Sequence, residues 1–338
     1  EGATQPPGGP HAEICALRDA QARGESVAGA TLYVTLEPCS HFGRTPPCVD
    51  AVLAARPARV VVAIGDPNPL VNGQGLARLR DAGIEVTTGI CREEALAINA
   101  GFISRMSRGL PWVWMKMAAS LDGRSALHNG VSQWITGPEA RADGHHWRAR
   151  ACVVLTGMGT VLKDDPQLNA RGVDTPRQPR KAVVDGRFEI PEDARLFDGA
   201  EVIIFTARED AAKAARLQAR NVRVVPLPGA EPGRVDLLAM MRWLGQEQFN
   251  EVHVEAGAGL SGALVEAGCV DELLLYLAPV LLGDAAGMVR LPALEHLDGA
   301  RRYEFIETAP VGADLRVRAR VADTWRQLTQ RVALPQLS

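Results

Sequence analysis

Apolar residues recur along the first third of the chain in two rhythms. Runs such as ATLYVTLEP (30–38), ARVVVAIGDPNP (58–69) and IEVTTGI (84–90) read as short strands. Between them, HAEICALRDAQARG (11–24), CVDAVLAA (48–55) and GLARLRDAG (75–83) carry the wider apolar spacing of helices. Alternation of this kind predicts βαβ units with helices covering a sheet. EEALAINAGFISRMSRG reads as a further helix that ends at Gly109, with Pro111 beyond it as a stop, so a domain boundary is expected at 108–111. A second alternating series follows. WVWMKMAASLDG, CVVLTG, KAVVDG, EVIIFTA, VRVVPL, EVHVEAG and DELLLYLAPVLLG are strand-like, with helices over Pro138–Arg150, across DLLAMMRWLGQE and up to Ala267. A hairpin-like pair closes it at YEFIETAPVGADLRVRARV (303–321). So many apolar strands predict one large mixed sheet with helices on both faces. The expected organisation is a domain over 1–108, a second over 111–323, and a C-terminal tail over 324–338 without a clear partner.

Length agrees with two domains, since 338 residues exceed one typical core. No stretch approaches eighteen uninterrupted apolar residues, and EGATQPPGG has neither a basic start nor an apolar signal core, so the expected location is the cytoplasm, with no membrane partner. The six cysteines are scattered, unlike a dense secreted disulfide framework, which leaves metal binding or plain burial to account for them. With 37 basic against 40 acidic residues and no strong basic patch, no nucleic-acid partner is expected.

Candidate chemistry begins at Pro10-His11-Ala12-Glu13. Proline at a first-turn position suits a helix start and would put His11 and Glu13 on its exposed first turn. The next strand runs into Pro38-Cys39, and Cys48 opens another helix, whose N-terminus favours a thiolate. His-x-Glu followed by Pro-Cys matches the signature of zinc deaminases, in which a His and two Cys hold the metal and the Glu is not a ligand. Imidazole nitrogen and thiolate can fill three corners of a tetrahedron, leaving the fourth for water. Taken singly, a histidine at a helix start is an ordinary cap and a cysteine after a strand an ordinary buried residue. His41, inside the loop, competes as a ligand.

The eight residues between Cys39 and Cys48 narrow the reading, because nucleoside and nucleic-acid deaminases separate these cysteines by two. PHAE together with TLEPCSHFGRTPPC resembles the pyrimidine deaminase domain of the bifunctional riboflavin-biosynthesis deaminase-reductase family, a cytidine-deaminase-like α/β/α fold. The resemblance implies that His11, Cys39 and Cys48 bind zinc, that Glu13 shuttles the proton, and that His41, Asp66 and Asn68 help to hold the pyrimidine and its ribose phosphate. By composition alone, Asp66-Pro67-Asn68-Pro69 is a turn. In the family this domain opens with a helix and two strands before the PHAE motif, whereas here PHAE begins at residue 10, so the sheet is expected to show an exposed edge.

Three segments of the second series attract notice: MKMAASLDGRSA (115–126), GVSQWITGPEAR (130–141) and RARACVVLTGMGTVLKDDPQLNAR (148–171). Ordinary connecting loops are the plain reading, although strand exits in an α/β sheet are where ligands sit. Later, Gly257-x-Gly259-x-x-Gly262 lies between a strand and a helix, suiting a diphosphate. No acidic residue ends a following strand at ribose-binding distance, so the ordinary Rossmann reading fails. These segments resemble the reductase domain of the same family, with a dihydrofolate-reductase-like α/β fold and NADPH as cofactor. The resemblance implies substrate contacts from Ser132, Arg148, Leu168, Arg171 and Glu255. It implies dinucleotide contacts from Ala118, Trp134, Thr160, Asp164, Gly186 and the loop Gly257, Ala258, Gly259, Leu260, Ser261, Gly262 and Ala263. Two arginines suit a ribose phosphate, because guanidinium forks match phosphate oxygens. Trp134 either packs on the nicotinamide side or is an ordinary buried tryptophan. Lys116 either polarises the sugar or is a solvated strand-edge lysine. Arg187, after the VVDG strand, could meet the 2′-phosphate of NADPH.

The reading is thus a bifunctional zinc hydrolase and NADPH-dependent oxidoreductase acting on a phosphorylated ribosylamino-pyrimidine, expected as a homo-oligomer. Two rivals stand beside it: a nucleic-acid base deaminase with an accessory domain, and a zinc-stabilised nucleotide-binding module.

Overall fold

The computed structural model describes residues 1–333. It resolves into two compact units, Glu1–Arg108 with the chain from Trp325 onward, and Gly109–Thr324.

In the first unit, α1 (Ala12–Ala22), β1 (Thr31–Leu36), α2 (Cys48–Ala55), β2 (Arg59–Ile64), α3 (Gln74–Asp81), β3 (Glu85–Thr88) and α4 (Arg92–Arg108) follow one another. The strands are parallel in the order β1-β2-β3. Central β2 has a strand on either side, and everything after its first residue is buried, which is why VVVAI is uninterruptedly apolar. Edge strand β1 alternates instead and leaves Tyr33 71% exposed. Val49 and Val52 of α2, Val60 and Val62 of β2, and Leu76 and Leu79 of α3 form the core.

The second unit comprises β4 (Trp112–Ser120), β5 (Arg124–Ala126), α5 (Pro138–Arg150), β6 (Val153–Gly157), α6 (Met158–Asp164), β7 (Arg180–Val184), β8 (Val202–Thr206), α7 (Ala211–Gln218), β9 (Val222–Pro226), α8 (Leu237–Gln246), β10 (Glu251–Val254), α9 (Ala258–Glu266), β11 (Glu272–Ala278), β12 (Ala286–Gly287), β13 (Glu304–Val311) and β14 (Asp314–Arg320). Among the described residues its main sheet has nine strands, in the order β13-β14-β11-β4-β10-β6-β7-β8-β9. The seven from β11 to β9 are parallel, and the β13–β14 hairpin adds an antiparallel edge. Val113, Met115, Leu155, Ile203, Val252 and Val254 meet Met240, Leu244 and Leu264 in the core. All the parallel strands therefore discharge their loops at one end of the sheet.

Four expectations change. The Gly-rich exit after CVVLTG is a helix, α6, and α7 was not foreseen. Glu13 is not on an exposed turn: α1 starts at Ala12 and Glu13 is only 9% exposed. The stretch expected as a tail forms α10 (Ala322–Arg331), along which Trp325 and Leu328 are buried, as is Val332 just past its end. Their spacing makes one apolar helical face, and it packs within the first unit. Trp325 Nε1 donates to Glu93 Oε2 at 2.8 Å, and the Gly65 amide to the Val332 carbonyl at 3.1 Å. Residues 334–338 of that expected tail lie outside the described residues.

Candidate active sites

His11 caps α1 with extended backbone (φ −76°, ψ 168°) and makes no side-chain cap bond, so its ring is available to the loop after β1. Its Nδ1 lies 3.6 Å from Cys39 Sγ and 3.2 Å from Cys48 Sγ. Nitrogen and sulfur sharing a tetrahedral zinc stand about 3.5 Å apart, given bonds of about 2.0 and 2.3 Å. Among the described residues, these three form the group whose ligand atoms all lie within 4.8 Å, and His41 is not part of it. The donor set therefore fits zinc with one position left open.

Cys39 Sγ accepts the backbone amide of Cys48 at 3.2 Å. A hydrogen bond from the Cys48 thiol, opposed by burial and helped by that amide and by His11, pushes Cys39 down to about 5. Cys48 moves the opposite way, because it donates to Cys39, is buried, and faces Glu13. Burial raises the Glu13 carboxyl above its usual range, opposed by its own backbone amide. A proton carrier operating near neutrality needs such a shift. A cavity of about 220 Å³ opens here, lined by His11, Cys39, His41, Gly43 and Arg44 among others.

Asp66 follows β2 and is 7% exposed. Its Oδ1 accepts the Asn68 amide at 2.8 Å, and Asn68 Oδ1 accepts the Leu70 amide at 3.1 Å, so the DPNP stretch is two successive Asx turns. Burial, against the Asn68 hydrogen bond and with the Glu37 charge, lifts Asp66 to about 6, while His41 pulls the other way. The turn and the zinc-ligand loop are thus close enough to act on each other electrostatically.

In the second unit, Arg148 of α5 grips Glu255, just past β10, with Nε and Nη2, the latter at 2.8 Å. Its Nη1 donates to the Asn169 carbonyl at 3.0 Å, tying the pair to the loop that carries Leu168 and Arg171. Burial would raise Glu255, but the Arg148 charge and hydrogen bonds, with His253, hold it well below the ordinary range. Lys116 is pushed down by burial, with Glu255 opposing and Arg148 adding. It stands on β4 between β10 and β11, so the solvated-edge reading fails. Trp134 is 69% exposed, which rules out the ordinary buried tryptophan, and Arg141 stacks 4.6 Å over its ring.

Neighbouring strands β6 and β10 bring together the two helix starts expected to meet the dinucleotide. A Cβ on Gly157, the N-cap of α6, would stand 3.0 Å from Leu260 of α9. Thr160 is half-buried and Asp164 exposed on α6, and Gly257 caps α9 with no side-chain cap bond, leaving its first amides for an anion. Cβ positions on Gly257 and Gly259 would face open space. One on Gly262 would meet the Arg290 carbonyl at 1.8 Å, so that glycine serves packing. Ser261 is buried, its Oγ donating to the Ala256 carbonyl at 3.3 Å. Gly186 is likewise filled by its own unit, with the Gly233 carbonyl 2.0 Å from a built Cβ. Ala118 is half-buried further along β4, opposite Tyr276. Ser132 is half-buried beside Lys163 Nζ at 3.5 Å, Leu168 is buried, and Arg171 is exposed.

A sequence model of the RibD C-terminal domain matches residues 111–316, and one of the cytidine and deoxycytidylate deaminase zinc-binding region matches residues 2–64. The riboflavin biosynthesis protein RibD of Escherichia coli (strain K12) is 45% identical over 93% of this chain and 88% of its own length. The chain belongs to the RibD family. A solved RibD of Acinetobacter baumannii (form 1) superposes with a TM-score of 0.82 at 39% identity, covering 93% of this chain and 86% of that one. A diaminohydroxyphosphoribosylaminopyrimidine deaminase/5-amino-6-(5-phosphoribosylamino)uracil reductase of Thermotoga maritima gives 0.82 at 31% identity, with the same coverages of 93% and 86%. As a RibD, the chain is a bifunctional deaminase and reductase enzyme of riboflavin biosynthesis, with a zinc-binding deaminase unit and a mixed α/β reductase unit. Its substrates are small-molecule pyrimidines. No helix among the described residues is long and apolar enough to cross a membrane.

Two histidines at the reductase site of this RibD escaped sequence reasoning. Fully buried His253 puts Nε2 3.3 Å from Glu255 Oε1, and His145 Nδ1 accepts the Arg171 amide at 3.3 Å. His253 sits two residues before Glu255 and so shares its strand face, the one available signal. Arg187 is exposed, with its side chain 3.5 Å from a Cβ built on Gly233.

Proposed function

We propose that the first unit hydrolytically deaminates 2,5-diamino-6-ribosylamino-4(3H)-pyrimidinone 5′-phosphate, and that the second reduces the ribosyl group of the product to ribityl, giving 5-amino-6-ribitylamino-uracil 5′-phosphate. The observation that carries the first half is the His11, Cys39, Cys48 cluster with buried Glu13 beside it. Zinc bound there supplies a water acidified toward neutrality. With zinc bound, Glu13 would carry a proton from that water to the departing amine, so that the oxygen would end as the product carbonyl and the nitrogen would leave as ammonia. His41 in the cavity wall, with Asp66 and Asn68 on the neighbouring turn, holds the pyrimidine and its ribose phosphate.

In the reductase, bound NADPH would supply a hydride to C1′ of the sugar in its open imine form, with the imine nitrogen taking a proton from water and NADP⁺ leaving. The loop Gly257 to Ala263 lies at the diphosphate, which its first free amides, those of Ala258, Gly259 and Leu260 at the start of α9, receive. Thr160, Asp164 and the Gly186 backbone flank the dinucleotide, with Ala118 and exposed Trp134 on its nicotinamide side. Arg148 and Glu255 neutralise each other, and Lys116, close to both, polarises the sugar or binds its hydroxyls. Ser132, Leu168 and Arg171 hold the remainder, Arg171 at the phosphate. Positioning and electrostatics are the protein's share of this step.

The enzyme works in the cytoplasm as a homo-oligomer. The scattered spacing of the six cysteines supports a reducing compartment. Exposed Leu121, Val280 and Leu281, on loops joined by the Leu121 amide to the Val280 carbonyl at 2.9 Å, support association. Incubation with the ribosylamino-pyrimidine phosphate, following ammonia and NADPH separately, is expected to show ammonia release followed by NADPH oxidation. NADPH oxidation without prior ammonia release would overturn the order, and neither signal would overturn the reading.

A further inference from the structure

The Glu37 carboxylate in TLEPC is 3% exposed and accepts four backbone amides. Oε1 takes Gly75 at 3.0 Å and Leu76 at 3.3 Å, while Oε2 takes Gly73 at 3.0 Å and Asp66 at 3.3 Å. Capping α3 would occupy Oε1 alone. Oε2 reaches the chain ahead of that helix, including the residue that opens the DPNP turn. Two residues further along its own chain from Glu37 comes Cys39, with Pro38 between them restricting the backbone. The fit is close: a Cβ on Gly75 would stand 2.2 Å from the Pro38 carbonyl.

We propose that Glu37 is a positioning residue of the deaminase, setting the separation between the zinc-ligand turn at Cys39 and the Asp66–Asn68 turn that receives substrate. The inference rests on the deaminase reading above. A carboxylate suits the position because its two oxygens accept from two amides each, whereas an amide side chain has one oxygen only. Glutamine keeps the shape but turns one end into a donor facing two amides, so the two turns move apart.

The test is Glu37→Gln in the full chain, with zinc content, the ligand-field absorption of the cobalt-substituted protein, and deaminase and reductase kinetics as readouts. One zinc equivalent, a shifted cobalt band, a deaminase KM raised tenfold or more with kcat changed less than threefold, and unaltered reductase constants are expected. Unchanged KM with an unchanged cobalt band overturns the proposal. So does a loss of rate that tracks only the fraction of folded protein at constant KM, the mark of a merely structural acid. Should the glutamine variant not fold, Gly75→Ala displaces α3 from Pro38 without touching the charge; it should raise KM likewise, and a wild-type KM there is equally fatal. Absence of ammonia release from the unsubstituted chain would sink the deaminase reading itself, while the cobalt band would still report on Glu37.

Discussion

Arg148→Ala removes the guanidinium that pairs with Glu255 at a site where both side chains are 17% exposed. Breaking a buried pair from one side costs about 3–5 kcal/mol, because the surviving charge is left without compensation. Lys116 and His253 remain near Glu255 and soften the loss, which places the expectation at the lower end, about 3 kcal/mol. For a unit of this size that corresponds to a melting temperature lower by roughly 6–12 °C. The pH dependence follows from the sign of the shift. Glu255 titrates below its unfolded value in the native protein, so its stabilisation is present above the usual carboxylate range and fades as pH falls through the native value. The variant's deficit should therefore be full at pH 7 and shrink toward pH 4, where the orphaned carboxyl takes up a proton. Urea unfolding across that range measures it. Arg148→Met with Glu255→Gln, which removes both charges, should recover most of the stability and none of the NADPH oxidation. A deficit independent of pH, or a double variant as unstable as the single one, would refute the argument.

Glu13→Gln should keep its zinc yet release ammonia at least about a hundredfold more slowly, by metal analysis and an ammonia assay, since a lost proton carrier costs that much. Arg171→Ala should raise the reductase KM for the phosphorylated substrate and leave ammonia release intact, which parallel assays of the two steps would show. Trp325→Ala should destabilise the first unit by about 3–5 kcal/mol, the usual cost of truncating a buried tryptophan; chemical denaturation followed by zinc release reads it, and an unchanged midpoint would mean that the α10 face contributes little.

Much was legible because its signals are local. Strand runs, helix periods and the order PHAE, TLEPC, PPC lie in contiguous residues, and the boundary region near 108 shows in a glycine and proline after a long amphipathic stretch. The apolar run VVVAI announces a strand flanked on both sides, and GxGxxG between a strand and a helix announces an anion-ready helix start. Family resemblance then carried residues into roles that spacing alone left open, Arg171 and Trp134 among them.

What the chain alone could not decide depends on which segments meet. TWRQLTQRV has an amphipathic spacing, but only the fold supplies Glu93 and Gly65 for it to bond, so an expected tail became part of the first unit. Glu13 lies on a first turn that reads as exposed, and burial by the cysteine loop makes it a raised-pKa acid. Gly262 and Gly186 look like ligand glycines, yet carbonyls of Arg290 and Gly233 fill the space they leave. Residue types and local periodicity thus determined most of the elements and the zinc triad, and resemblance to the family supplied the reductase chemistry and most of the candidate residues. Burial, protonation and partnership were decided by the tertiary structure, because desolvation and hydrogen bonding act between atoms distant in sequence and carry no mark in either segment alone.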